Sequence, residues 1–97
     1  MTAYWIITLT AVRDEARLAR YVELAGPAIR AAGGVFLARG KPVHVLEGSA
    51  VPRTTLIRFD SADAAVAAYR SPAYQEALAA LGDGAERDIR IVNAVQD

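Results

Sequence analysis

Cysteine is missing altogether from the 97 residues, so neither a disulfide framework nor thiolate chemistry is open to this chain. An excess of charge of either sign is missing too. Eleven basic residues face eleven acidic ones. The basic set, all arginine but for Lys41, is scattered, which leaves no field to attract nucleic acid or an anionic membrane. There is one histidine, and without a second or a cysteine a protein metal site lacks its usual ligands. No apolar run approaches the length of a membrane span. The opening Met-Thr-Ala-Tyr-Trp-Ile-Ile has neither the basic lead nor the long apolar stretch of a signal peptide. A glycine-rich phosphate loop is also lacking: Gly33-Gly34 closes a helix, whereas such a loop must open one. Together these absences lead us to expect a cytoplasmic protein of a single domain, residues 1–97. Its sequence asks for no cofactor, no metal, no nucleic acid and no membrane.

What is present alternates strand and helix signals. Tyr4 to Val12 is β-branched and aromatic, apolar on both faces for much of its length, as a central strand would be. Asp14 can cap the helix that follows, in which Leu18, Tyr21, Val22, Ala25, Ile29 and Ala32 recur at helical spacing. Pro27 removes one backbone bond and is expected to kink or split that helix, and Gly33-Gly34 to end it. Val35 to Arg39 reads as a second strand and Val43 to Glu47 as a short extended piece at an edge. Thr54 to Asp60 is a third strand, Ser61 a cap with Asp63 in the first turn of its helix, and Ser71-Pro72 a second cap that restarts a helix. Asp88 to Val95 is the last strand, with Ile89 and Ile91 on one face. The order, β-α-β-β-α-β, predicts an α+β, ferredoxin-like protomer with helices on one face of a four-stranded antiparallel sheet.

The third strand assigns the faces. Ile57 and Phe59 can lie under helices; Arg58 and Asp60 could not without a large desolvation cost. Leu56, Arg58 and Asp60 are therefore expected on the uncovered face, along with Tyr4, Ile6, Thr8 and Thr10 of the first strand and Val35, Leu37 and Arg39 of the second. Such a face is too apolar for water. A second copy of the chain is its simplest cover, so a homodimer is expected.

Several local signatures occur in a familiar order: Tyr4-Trp-Ile, the Gly26-Pro27 break, Gly33-Gly34, Ala38-Arg39-Gly40, Leu46-Glu47-Gly48, Phe59-Asp-Ser61 and Tyr69-Arg-Ser-Pro-Ala-Tyr74-Gln75. Taken together they resemble the domain-of-unknown-function 1330 family, over nearly the whole chain. That resemblance implies membership of the dimeric α/β-barrel superfamily, with two ferredoxin-like protomers packing sheet to sheet. It implies no reaction, although the superfamily includes cofactor-independent monooxygenases, isomerases and haem proteins. One departure lies near Leu81, where similar sequences often carry an arginine.

Candidate binding residues follow from the faces. Arg39 and Arg58, on strands expected to be neighbours, would converge to hold a carboxylate or phosphate; the alternative is that Asp60 pairs with one of them. Arg39 also sits at a position that the resemblance matches. His44 is the one ready general base, in a setting where a solvated histidine would be ordinary. Tyr21, Tyr69 and Tyr74 lie on apolar helix faces with Trp5 on the strand beneath, as core or as the lining of a pocket between helices and sheet. The expected function is binding, with or without transformation, of a small, partly apolar, anionic molecule. A non-catalytic interaction protein whose working surface is the dimer face is the alternative.

Overall fold

A computed structural model of the chain describes residues 1–96. The elements are β1 (Ala3–Val12), α1 (Glu15–Ala31), β2 (Val35–Gly40), β3 (Arg53–Phe59), α2 (Ala62–Arg70), α3 (Pro72–Leu81) and β4 (Ala85–Asn93). The four strands form one antiparallel sheet in the order β2-β3-β1-β4. The molecule's shortest dimension is 16 Å, the thickness of one sheet and one helix layer, so the far face of the sheet is bare.

The caps sit where the side-chain chemistry puts them. Asp14 accepts a hydrogen bond from the Arg17 amide, and Ser61 accepts one from Ala64 at 3.0 Å. Ser71 does two things at once: its hydroxyl donates to the Ala68 carbonyl at 2.8 Å, closing α2, and accepts from the Tyr74 amide at 3.3 Å, opening α3. At the far end of α1, Gly33 takes φ 95°, a left-handed turn open to glycine at little cost. Gly34 has a different need. A Cβ there would lie 2.5 Å from Ile29 Cγ2 and 2.9 Å from Phe59 Cζ, so only a bare backbone passes between helix and strand.

The core lies between helices and sheet. Ala3, Trp5, Ile7 and Leu9 of β1 are buried in strict alternation, with Ile57 and Phe59 of β3 beside them and Leu18, Tyr21, Ala25, Ile29, Tyr74 and Leu81 above. The opposite face runs in rows across the strands. Val35, Arg58, Tyr4 and Val92 make one row; Ala38, Leu56, Ile6 and Arg90 make the next.

Four expectations are corrected. Helix α1 is not split at Pro27 but runs on as one helix from Glu15 to Ala31; one missing N–H is a local loss that the packed apolar stripe on either side outweighs. Lys41–Pro52, including Val43 to Glu47, is loop with no strand pairing, and Val43 and Leu46 stand out in solvent. Strand β4 starts at Ala85, three residues earlier than its apolar pattern suggests. Most consequential is an irregularity in β2: Phe36 pairs with Ile57 and Ala38 with Leu56, leaving Leu37 as an extra residue. A bulge of this kind resets the alternation. Arg39 therefore sits opposite the buried Thr55, on the helix-covered face, while Arg58 lies on the bare one.

Candidate functional site

The reset phase of β2 helps build a cleft. It lies between α1 and the sheet, roofed by Leu18, Tyr21, Val22 and Ala25 and floored by Ile7 and Leu9. Counted out into its solvent-filled mouth it measures some 480 Å³, but only about 50 Å³ is open to the centre of a water-sized sphere. That is a narrow slot, room for a few waters in a row. The polar groups that line it are Thr55, Tyr21 and three arginines: Arg39 on β2, Arg53 on β3 and Arg87 on β4. No aspartate, glutamate, histidine or cysteine lines it.

Register explains the convergence. Arg53 and Arg87 are both cross-strand partners of Leu9, one on each side of β1, so all three side chains share the helix-covered face. Arg39 is one row away, across from Thr55. The ion pairs among the described residues use Arg13, Arg17, Arg20 and Arg90. The cleft arginines have no acidic partner among those residues.

Two of them are held by rings instead. The Arg87 guanidinium carbon lies 4.5 Å from the centre of the Tyr21 ring, and that of Arg39 lies 5.4 Å from the centre of Phe36. Arg30, from the last turn of α1, lies over the same Phe36 at 4.9 Å. Each such contact is worth about 0.5–1 kcal/mol at an exposed site and more where water is excluded. Arg87 Nη1 is buried and makes no hydrogen bond of good geometry, although the Tyr21 and Tyr74 oxygens nearby favour its charge.

Beside Arg87 the Tyr21 and Tyr74 hydroxyls are 2.7 Å apart. Burial, and then the adjacent Tyr21 oxygen, push the Tyr74 phenol well above its ordinary range, and the Arg87 guanidinium only partly offsets this. Tyr74 is thus a neutral phenol at any physiological pH, a hydrogen-bond donor or acceptor and not a base. For Arg87, burial works against the charge and the two tyrosine oxygens work for it; the balance lies above the ordinary arginine value. The cleft holds fixed positive charge.

The residues expected from sequence are thus distributed as follows. Arg39 and Tyr21 line the cleft. Arg58 does not: it is exposed on the bare sheet face, so the two arginines expected to converge point to opposite sides. Asp60 pairs with neither. Trp5 and Tyr74 are fully buried. Trp5 stacks on Phe59 at 5.7 Å and meets the Tyr74 ring edge-on at 5.2 Å, so both form the aromatic centre of the core next to the cleft. Its Nε1 has no hydrogen-bond partner. Tyr69 is more open and borders a shallow second groove between α2, α3 and β4, which Arg87 also reaches. His44 is exposed in the loop Lys41–Pro52, away from both.

Arg53, Thr55 and Arg87 were missed. For Arg87 the signal existed: stepping back by two from Ile91 and Ile89 lands on it. The same step back by two from Phe59 and Ile57 reaches Thr55 and Arg53 on β3.

No three-membered group of histidine, cysteine and carboxylate side chains among the described residues could hold a metal ion. No helix among them is long and apolar enough to cross a membrane.

The family model described as "Domain of unknown function (DUF1330)" matches residues 2–95. No curated protein matches the chain. Among solved structures, a protein of unknown function from Rhodopseudomonas palustris superposes with TM-score 0.77 at 17% identity, over 98% of this chain and 84% of that one. A dimeric ferredoxin-like protein of unknown function from Thermobifida fusca gives TM-score 0.68 at 16% identity, over 97% and 92%. A cofactor-independent oxygenase from Streptomyces nogalater gives 0.61 at 14%, over 99% and 93%. At such identities the likeness is one of fold: ferredoxin-like, with a four-stranded antiparallel sheet.

Proposed function

Because the chain belongs to the DUF1330 family, whose description carries no activity, we propose from its own geometry that it is a homodimer that binds a small, partly apolar organic anion in the cleft under α1. The carrying observation is the set of arginines that line an otherwise apolar slot with no acidic partner among the described residues. Buried or half-buried guanidiniums are normally paired within the fold. Arg53 and Arg87 are half-buried without an acidic partner among the described residues, and the exposed Arg39 stands at the same space, which supports an anion-binding reading.

Dimerisation is supported by the bare sheet face. Tyr4, Ile6 and Leu56 are half-buried there, and Val35 and Val92 are about half exposed. The fold likeness to a protein described as dimeric agrees with this. Catalysis is a second reading, favoured by one arrangement: the Tyr74 phenol, hydrogen-bonded to Tyr21 beside a permanent cation, suits an enolate or similar oxyanion. A reaction of that kind without a cofactor would need the base to come from the substrate or from outside the cleft, since its lining offers none.

Thermal melts with small carboxylates test the binding reading. A ligand at ten times its Kd adds about 1.4 kcal/mol, a rise of several degrees for a domain of this size. Arg53→Met should reduce that rise. Light scattering should give twice the chain mass. A dimer that no carboxylate stabilises would refute the binding reading and return the protein to the interaction class.

A further inference from the structure

We propose that the cleft is built for a small organic dianion: a dicarboxylate whose two anionic groups are separated by a short apolar chain. This deepens the binding reading above and rests on it. The cleft has two cationic ends, each fixed by an aromatic ring. Arg39 is held over Phe36 and Arg87 over Tyr21. A guanidinium held over a ring can still offer N–H groups to a carboxylate, and the ring limits where it can go.

The two ends are far apart. Arg39 belongs to one edge strand and Arg87 to the other, with β3 and β1 between them. Three strand spacings amount to about 14 Å. Arg53, on β3, stands on the Arg39 side of Leu9. The floor between the ends is Ile7 and Leu9, with the Thr55 hydroxyl the one uncharged polar group beside them, and it carries no charge of its own. One carboxylate at either end would leave the other end unneutralised. A chain with an anionic group at each end neutralises both and lays its methylenes on the floor.

Two further observations bear on the ligand. Arg87 Nη1 is buried and makes no hydrogen bond of good geometry, so its end of the slot is short of an acceptor. The open part of the slot, about 50 Å³, suits an acyclic chain better than fused rings. The whole chain carries equal numbers of acidic and basic residues. A lining whose charged groups are all cationic is therefore a local arrangement and not the reflection of a basic protein.

Isothermal titration calorimetry on the full-length protein decides. Glutarate, adipate and suberate are compared with the monocarboxylates of equal carbon count, pentanoate, hexanoate and octanoate, and with inorganic phosphate. The best dicarboxylate should bind at least tenfold more tightly than its monocarboxylate counterpart and than phosphate. Arg39→Met and Arg87→Met should each abolish that preference, with circular dichroism showing a retained fold. If Arg87→Met does not fold, Arg39→Met, at a more exposed position, decides alone. Monocarboxylates that bind as tightly as dicarboxylates overturn the dianion inference and leave the binding reading standing. A preference that survives Arg39→Met overturns it as well. If nothing in the panel binds, the binding reading itself falls.

Discussion

Tyr74→Phe removes a single oxygen from the middle of the helix layer and tests the electrostatics beside the cleft. In the native protein the Tyr74 and Tyr21 hydroxyls are 2.7 Å apart and Tyr74 is fully buried. Losing the pair leaves a buried Tyr21 hydroxyl without its partner, so stability at neutral pH should fall by about 1–3 kcal/mol. The pH dependence is more specific. Burial first, then the Tyr21 oxygen, raise the Tyr74 phenol above its ordinary 10.0. Above that pH the unfolded chain releases the proton while the folded protein keeps it. The folded state binds more protons, so stability is intact below pH 10 and declines as pH rises past it. With the folded value well above 10, the loss is about 1.4 kcal/mol near pH 11 and about 2 kcal/mol near pH 11.5. Urea unfolding at one fixed protein concentration, followed by the fluorescence of Trp5, measures both effects, since the Trp5 ring touches Tyr74. Native protein should lose stability over that range and Tyr74→Phe should lose less by that amount. A native profile flat to pH 11.5, or an identical decline in the variant, would refute the reasoning.

Ser61→Ala removes the α2 cap and should cost about 1 kcal/mol, whereas Ser71→Ala, which serves two helices, should cost more; equal melting temperatures for the two variants would contradict this. Gly34→Ala forces a methyl group against Ile29 and Phe59 and should destabilise by about 1–3 kcal/mol, read as a lower urea midpoint at unchanged m-value. Arg39→Met leaves no carboxylate unpaired, so its stability should stay within about 0.5 kcal/mol of native or rise; a fall of several kcal/mol would make Arg39 a structural residue.

Much of this architecture was legible because each element carries its own local chemistry. Asp14, Ser61 and Ser71 announce helix starts by side chains that can accept from the backbone, and Gly33 announces a stop. Period-two alternation in β1 and β3 placed Trp5, Ile57 and Phe59 inside and Arg58 outside. Reading failed where a local pattern depends on a distant partner. The extra residue at Leu37 is defined only by how β2 pairs with β3, and a count along β2 alone puts Arg39 on the wrong face. Pro27 is a helix breaker by propensity, yet α1 is long and well packed enough to carry it. Val43 to Glu47 has the residues of a strand but finds no neighbour to pair with.

The site illustrates the same limit in another way. Ten of the residues are arginine, and in the sequence they look alike. Four pair with acids, and Arg30, Arg58 and Arg70 have no ion-pair partner among the described residues either, so what sets Arg39, Arg53 and Arg87 apart is the cleft they line. Asp14, Glu23, Glu86 and Asp88 lie on the outside and take Arg17, Arg20, Arg13 and Arg90 with them. Such exposed pairs add little stability, but they sort the charge. A chain that is neutral overall keeps its acids away from one face of one cleft, and the cations there are left to rings and to whatever enters. Arg87 Nη1, closed off from solvent and without a hydrogen bond of good geometry, is the atom at which that sorting is most costly to the protein alone. For that reason it is the atom a ligand would most relieve.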